Sequence, residues 1–136
     1  MHGHDRANEE TKGLIPFIPP ANGGTGDWVD ITGTEVTIGT GRKNTALILA
    51  TDANAPAAKA CNEYSNNGKT DWFLPSRNEL DELYYHRALV SNIGTGWYWS
   101  SSQNIIENAW HQRFSDGYYG GRNKHYAGNV RAIRAF

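Results

Sequence analysis

The chain has 136 residues, 13 Lys and Arg against 14 Asp and Glu for a formal charge of −1, 38% hydrophobic residues and a single cysteine. That length suits one domain, which buries roughly two thirds of its unfolded surface in one core. The near-neutral balance excludes a general electrostatic drive toward nucleic acid or anionic lipid, no run of about 18 apolar residues exists to span a bilayer, and the lone Cys61 excludes a disulfide framework or a cysteine-rich zinc site.

The totals hide an uneven distribution. Residues 1–96 hold 8 basic and 12 acidic side chains, residues 97–136 hold 5 and 2, and these last 40 residues carry 9 of the 16 aromatics. A mildly basic tail rich in Gly, Tyr, Asn and Arg suits a contact surface, because Tyr and Trp give large area for few lost rotamers and Arg gives forked donors.

In chain order, residues 1–13 are polar, with no apolar h-region and no small-residue cleavage site, and are expected to form a weakly ordered tail rather than a secretory signal. Residues 14–20 are apolar and punctuated by Pro16, Pro19 and Pro20, hence extended. The Gly-rich stretch 22–26 reads as a turn without a following helix signal, so not a phosphate loop. Alternating Val29, Ile31, Val36 and Ile38, a turn over 39–44 and an apolar run over 45–50 predict a hairpin. Asp52 or Asn54 is then expected to cap a helix through Ala57, Ala58, Ala60, Cys61 and Tyr64, stopped by Asn66, Asn67 and Gly68.

Ser76 followed by Glu79 forms a capping-box pattern, with Leu80, Leu83 and Tyr84 on one helical face. Glu79, Asp81 and Glu82 near that helix start are expected to be dipole partners on a solvated face. Strands are predicted over 96–102, 109–115 and 130–136. The expected core is Trp72, Phe73, Leu74, Leu80, Leu83, Trp97, Trp99, Trp110, Phe114, Val130, Ile133 and Phe136, with Trp97 and Trp99 on one strand face and Tyr98 on the other. The order implies an α+β domain over residues 14–136, two helices packed on antiparallel strands.

Five segments in sequence carry a family resemblance: Asp71 to Ser76 with Asn78, Glu79 and Leu80; Tyr98 to Ser102; Ala109 and Trp110; Phe114 to Gly117; and Val130 to Phe136. Over residues 26–136 the chain resembles the DUF1566 group of C-type-lectin-fold domains. Its ending is similar to the close of variable proteins diversified by retroelements, in which adenine-templated mutagenesis rewrites the C-terminal segment of a rigid lectin-like scaffold. That resemblance implies a C-type-lectin-like fold with a C-terminal strand-and-loop binding surface, residues 97–136 being the variable region.

Rewriting an Asn codon AAY at its adenines yields NNY, which cannot encode Lys, Gln, Glu, Met or Trp. Between 104 and 129 only Glu107, Trp110, Gln112 and Lys124 are of those types, and they fall where the resemblance calls for scaffold. The run from Asp116 to Gly128, Lys124 apart, fits the rule and has no hydrophobic period, so it reads as exposed surface. The candidate ligand-binding residues are Tyr118, Tyr119 and Tyr126 as anchors and His111, Arg113, Arg122 and His125 as polar specificity groups. Asn104, Ile105, Ile106, Asn108, Asp116, Gly120, Gly121, Asn123, Ala127 and Gly128 set the shape.

The expected function is binding of a protein or glycan on a cell surface by a virion-associated or surface-displayed domain, monomer by default, with no nucleic acid, membrane insertion, cofactor or metal. A fixed-specificity adhesin or calcium-independent glycan-binding domain is the alternative. Catalysis is not expected: Cys61 has no evident activating neighbourhood, and Ser115, His111 and Asp116 lack a nucleophile-elbow spacing. The triplets that the resemblance implies for calcium-dependent sugar lectins are absent, the nearest being Trp110, His111 and Gln112.

Overall fold

The computed structural model describes residues 12–19 and 29–134, so the expectations for residues 1–11, for the turn at 22–26 and for Phe136 lie outside the described residues. Elements run β1 (Lys12–Pro16), α1 (Gly41–Thr51), α2 (Pro56–Asn62), α3 (Arg77–Tyr85), a 3₁₀ turn (Arg87–Leu89), β2 (Trp97–Ile105), β3 (Asn108–Arg113), β4 (Tyr119–Asn123) and β5 (Ala127–Val130). They form an α+β domain on one sheet ordered β1-β5-β2-β3-β4. The sheet is mixed rather than purely antiparallel, because β2 and β5 run parallel where Tyr98 meets Asn129.

The expected hairpin over 29–50 is replaced by a loop and a helix. In α1 the buried positions are Gly41, Asn44, Thr45 and Ile48, a spacing of three, one and three that only a helix puts on one face. Two of those positions are polar, which hid the period. Asn44 exchanges bonds with the Glu35 backbone (2.9 and 2.7 Å), and the Thr45 hydroxyl accepts from the Leu74 N–H at 3.0 Å. The loop before α1 makes no ladder of its own. Its backbone is satisfied from elsewhere: the Asn78 N–H donates to the Val36 carbonyl, and the Ser76 and Ser102 hydroxyls donate to the Thr37 and Glu35 carbonyls.

The second helix begins at Pro56, with Ala55 rather than Asp52 or Asn54 as its cap; Asp52 instead accepts from the Asn54 N–H in a local turn. The chain therefore has three α-helices among the described residues, not two. The capping box at α3 forms as expected, but Glu79 is buried rather than solvated. Its Oε1 accepts from the Ser76 N–H and its Oε2 from the Gly39 N–H, both at 2.8 Å, so one carboxylate ties the start of α3 to the turn entering α1.

Two core clusters follow strand alternation. Trp99 joins Phe17, Ile48, Trp72, Leu74 and Val130, while Tyr98 joins Phe73, Leu80, Leu83, Phe114 and Ile133. Trp97 and Trp110 are only half-buried, a departure from the expected core. The predicted strand over 130–136 is displaced: β5 ends at Val130, and among the described residues beyond it the backbone pairing is a bridge in which Phe73 and Ile133 exchange bonds of 2.8 and 3.0 Å.

Candidate functional site

The β3–β4 hairpin is built by register. Asn108 faces Asn123, Ala109 faces Arg122, Trp110 faces Gly121, His111 faces Gly120 and Gln112 faces Tyr119, with no irregularity along the pair. The turn joining them is held by Asp116. Its carboxylate receives a forked bond from Arg113 (2.9 and 2.6 Å) and one from the Tyr118 N–H (3.1 Å), while Gly117 adopts a φ of +83°. The Arg113 guanidinium is the main reason the Asp116 carboxyl is held down at about 2.

Because directly opposed residues share a face, this register divides the candidates between the two faces of the hairpin. On the first face lie His111, Arg113, Tyr118, Gly120 and Arg122, gathered around Trp97 of β2. Arg122 stacks over Trp97 at 4.5 Å and over Tyr126 at 5.8 Å, and Arg113 covers the Tyr118 ring at 5.3 Å. The His111 ring meets Trp97 edge-on at 5.4 Å and lies 6.1 Å from Tyr118.

On the second face lie Asn104, Asn108, Tyr119, Gly121 and Asn123, with Trp110. Here Arg77, the first residue of α3, lies over Trp110 at 4.8 Å and over Tyr119 at 5.2 Å. Beside it the Gln112 amide donates to the Asp81 carboxylate at 2.8 Å and the Gly117 carbonyl at 3.0 Å, which fixes the hairpin against α3.

Ile105 and Ile106 are exposed at the β2–β3 turn, Ala127 is exposed at the start of β5, and the His125 N–H donates to Asn123 Oδ1 at 2.9 Å. The three tyrosines are exposed, as expected of anchors, but Tyr118 and Tyr126 serve one face and Tyr119 the other.

Three candidates are not the exposed surface that the sequence suggests. His111 is buried, its Nδ1 2.8 Å from the Gly120 carbonyl, and burial pushes its pKa below the ordinary value. The bond to a carbonyl assigns the proton of the neutral ring to Nδ1. Gly120 and Gly128 are buried as well. A Cβ on Gly128 would stand 2.5 Å from the Trp97 ring, and one on Gly120 would stand 2.8 Å from the Tyr118 hydroxyl oxygen. Both glycines are there because an aromatic side chain lies over them.

Two of the residues expected as scaffold, Lys124 and Gln112, are enclosed. Lys124 is fully buried and donates to the Val29 carbonyl and Gln103 Oε1, both at 2.7 Å, and Gln112 is buried by the bonds just given. Sequence reasoning missed Arg77 and the site role of Trp97. Arg77 stands next to the capping Ser76, and no local spacing signals its approach to residues 33 and 42 positions further on.

No group of three His, Cys, Asp or Glu gathers to hold a metal among the described residues, and no helix there is long and apolar enough to cross a membrane. Cys61 is buried in the first core cluster, and burial raises its thiol pKa, which makes it a poor nucleophile.

The fold and site define an α+β domain that presents a cation-and-aromatic hairpin on a hydrogen-bonded scaffold. The chain belongs to the Lcl C-terminal domain family, whose model matches residues 26–134. No curated protein matches the chain.

Proposed function

We propose that this domain is a ligand-binding, receptor-binding variable protein: a rigid lectin-like scaffold whose C-terminal hairpin displays diversified side chains to a protein or glycan on a cell surface. One observation carries the reading. Exposed Tyr118, Tyr119 and Tyr126 project from a backbone whose supports, Gln112 and Lys124, are buried and hydrogen-bonded to α3 and to Val29 and Gln103. Side chains so mounted change at little cost in stability, since surface substitutions usually fall within about 0.5 kcal/mol. Stacked arginines beside exposed tyrosines are also the side-chain types that dominate binding energy at interfaces.

The test is sequencing of the last 40 codons across a population, with the flanking DNA searched for a near-copy that serves as template. The reading expects substitutions at template adenines for Tyr118, Tyr119, Arg122 and Tyr126, with Gln112 and Lys124 constant. A constant segment without a template overturns diversification and leaves a fixed-specificity adhesin or calcium-independent glycan-binding domain, for which a glycan array is the next measurement.

A further inference from the structure

The second face of the hairpin carries polar groups that no described residue satisfies. Arg77 opens α3 directly after the capping Ser76, and its guanidinium lies over Trp110 at 4.8 Å and over Tyr119 at 5.2 Å. Its Nε donates to Asn78 Oδ1 at 3.2 Å, while its terminal nitrogens have no partner among the described residues. Asp81, one turn further along α3, is spaced to neutralise it. The Asp81 carboxylate instead accepts from the Gln112 amide at 2.8 Å and forms no ion pair with Arg77. Beside the rings, Gly121 leaves room for two side-chain amides: a Cβ there would stand 2.5 Å from Asn104 Oδ1 and 3.3 Å from Asn108 Nδ2. Neither amide has a hydrogen-bond partner among the described residues.

These groups define a ligand chemistry. A guanidinium already laid against two rings loses little further freedom on binding, and its terminal N–H groups match a planar carboxylate. Each Asn amide offers one acceptor and two donors, a match for the N–H and C=O of a peptide group. The side of both rings that Arg77 covers is closed to a stacking sugar, so the cation meets the ligand there. The first face has no equivalent: Arg113 is neutralised by Asp116, and Arg122 lies inward over Trp97.

We propose that the second face docks a protein loop carrying an Asp or Glu, whose carboxylate takes the terminal nitrogens of Arg77 while the loop backbone bonds to Asn104 and Asn108. Arg77 precedes residues 97–136 and Trp110 lies outside the NNY code, so this anchor is constant where Asn104, Asn108 and Tyr119 are open to change. The constant cation then selects a feature common to all targets, an exposed acid, and the side chains around it select among the loops that present one.

This inference rests on the reading of the hairpin as a binding surface. Its probe is a phage-displayed library of random eight-residue loops, each closed by a flanking disulfide, panned against the whole chain. The retained loops are expected to include a group with Asp or Glu at one aligned position, whose titration shifts the Trp110 indole N–H resonance. Replacing that acid by its amide is expected to weaken binding to the parent at least tenfold and binding to Arg77→Gln less than twofold. Such coupling separates a direct contact from a structural loss, which would lower both loops equally. Arg77→Lys keeps the charge and the stem without the fork, and is expected to weaken the acidic loops at least threefold.

Failure to recover any loop whose binding depends on Arg77 overturns the proposal, as do additive losses, parent-like affinity of Arg77→Lys, or Arg77-dependent loops that lack an acid. A glycan array whose hits vanish in Arg77→Gln, with no acidic loop recovered, also overturns it and identifies a sugar as the occupant. None of these outcomes bears on codon diversification, so the two readings fail separately.

Discussion

Gly128→Ala separates a position held by packing from one open to change. The new Cβ would stand 2.5 Å from Cη2 and Cζ3 of Trp97 and 2.9 Å from Cζ2. Ordinary carbon contacts lie at roughly 3.5–4.0 Å, so the indole has to withdraw by about 1 Å. It has little room: Trp99 packs edge-on at 4.9 Å, His111 at 5.4 Å and the Arg122 guanidinium at 4.5 Å. Overpacking of this kind costs about 1–3 kcal/mol, and a value near 2 lowers Tm by about 6–10 °C for a chain of this length. Tyr126→Ala, at an exposed position, should stay within about 0.5 kcal/mol while removing one wall of the Arg122 stack. Thermal melting and urea midpoints at constant slope measure both variants. A Gly128→Ala protein that melts within about 1 °C of the parent refutes the wedge and returns Gly128 to the positions free to vary.

Glu79→Gln leaves one acceptor where two N–H donors converge, so the amide nitrogen faces a backbone donor; a loss of about 2–3 kcal/mol by urea unfolding is expected, and a neutral result shows that the Gly39 bond contributes nothing. Burial draws the Lys124 ammonium down to about 8, so between pH 8 and its ordinary value of 10.5 the unfolded chain binds the extra proton and native stability rises with pH. Lys124→Met should be destabilised by about 1–3 kcal/mol at pH 7, from the orphaned Val29 carbonyl, and its deficit relative to the parent should widen toward pH 10; a constant deficit is the refuting result. The buried His111 has its pKa lowered from 6.5, so the unfolded chain takes up the proton first and stability falls on acidification below pH 6.5. His111→Gln should lessen that fall between pH 7 and 5, and identical slopes in the two proteins would sink the assignment.

Local signals were legible wherever local chemistry decided the structure. The Ser76 capping box needs only four residues to form, and Trp97, Tyr98 and Trp99 alternate in the sequence as they do in space. The signals failed where distant partners set the outcome. Residues 45–50 read as a buried strand and Asn44 as the end of a turn, yet Glu35 and Leu74 bond Asn44 and Thr45 on one buried helical face. Glu79 looked like a dipole partner because its second acceptor role depends on Gly39, 40 residues away. The candidate segment was found from composition, but its split into two faces depends on the β3–β4 register, and β4 itself is masked by Gly120 and Gly121, which carry no strand propensity.

Under the proposed diversification, Gly120 and Gly128 limit which positions of the hairpin can change. If every position from Asp116 to Gly128 varied freely, substitutions at 120 and 128 would drive into Tyr118 and Trp97, and the stacked cations would lose the rings that hold them. Tyr118 is exposed and its ring has room to swing aside, so Gly120 depends on what occupies position 118, and under the proposed diversification these two positions should covary in a population. Gly128 lies under Trp97, a residue outside the NNY code, and should stay glycine in every variant. Joint occurrence of bulky residues at 118 and 120, or any side chain at 128 with Trp97 retained, would show that the hairpin re-registers to accommodate them.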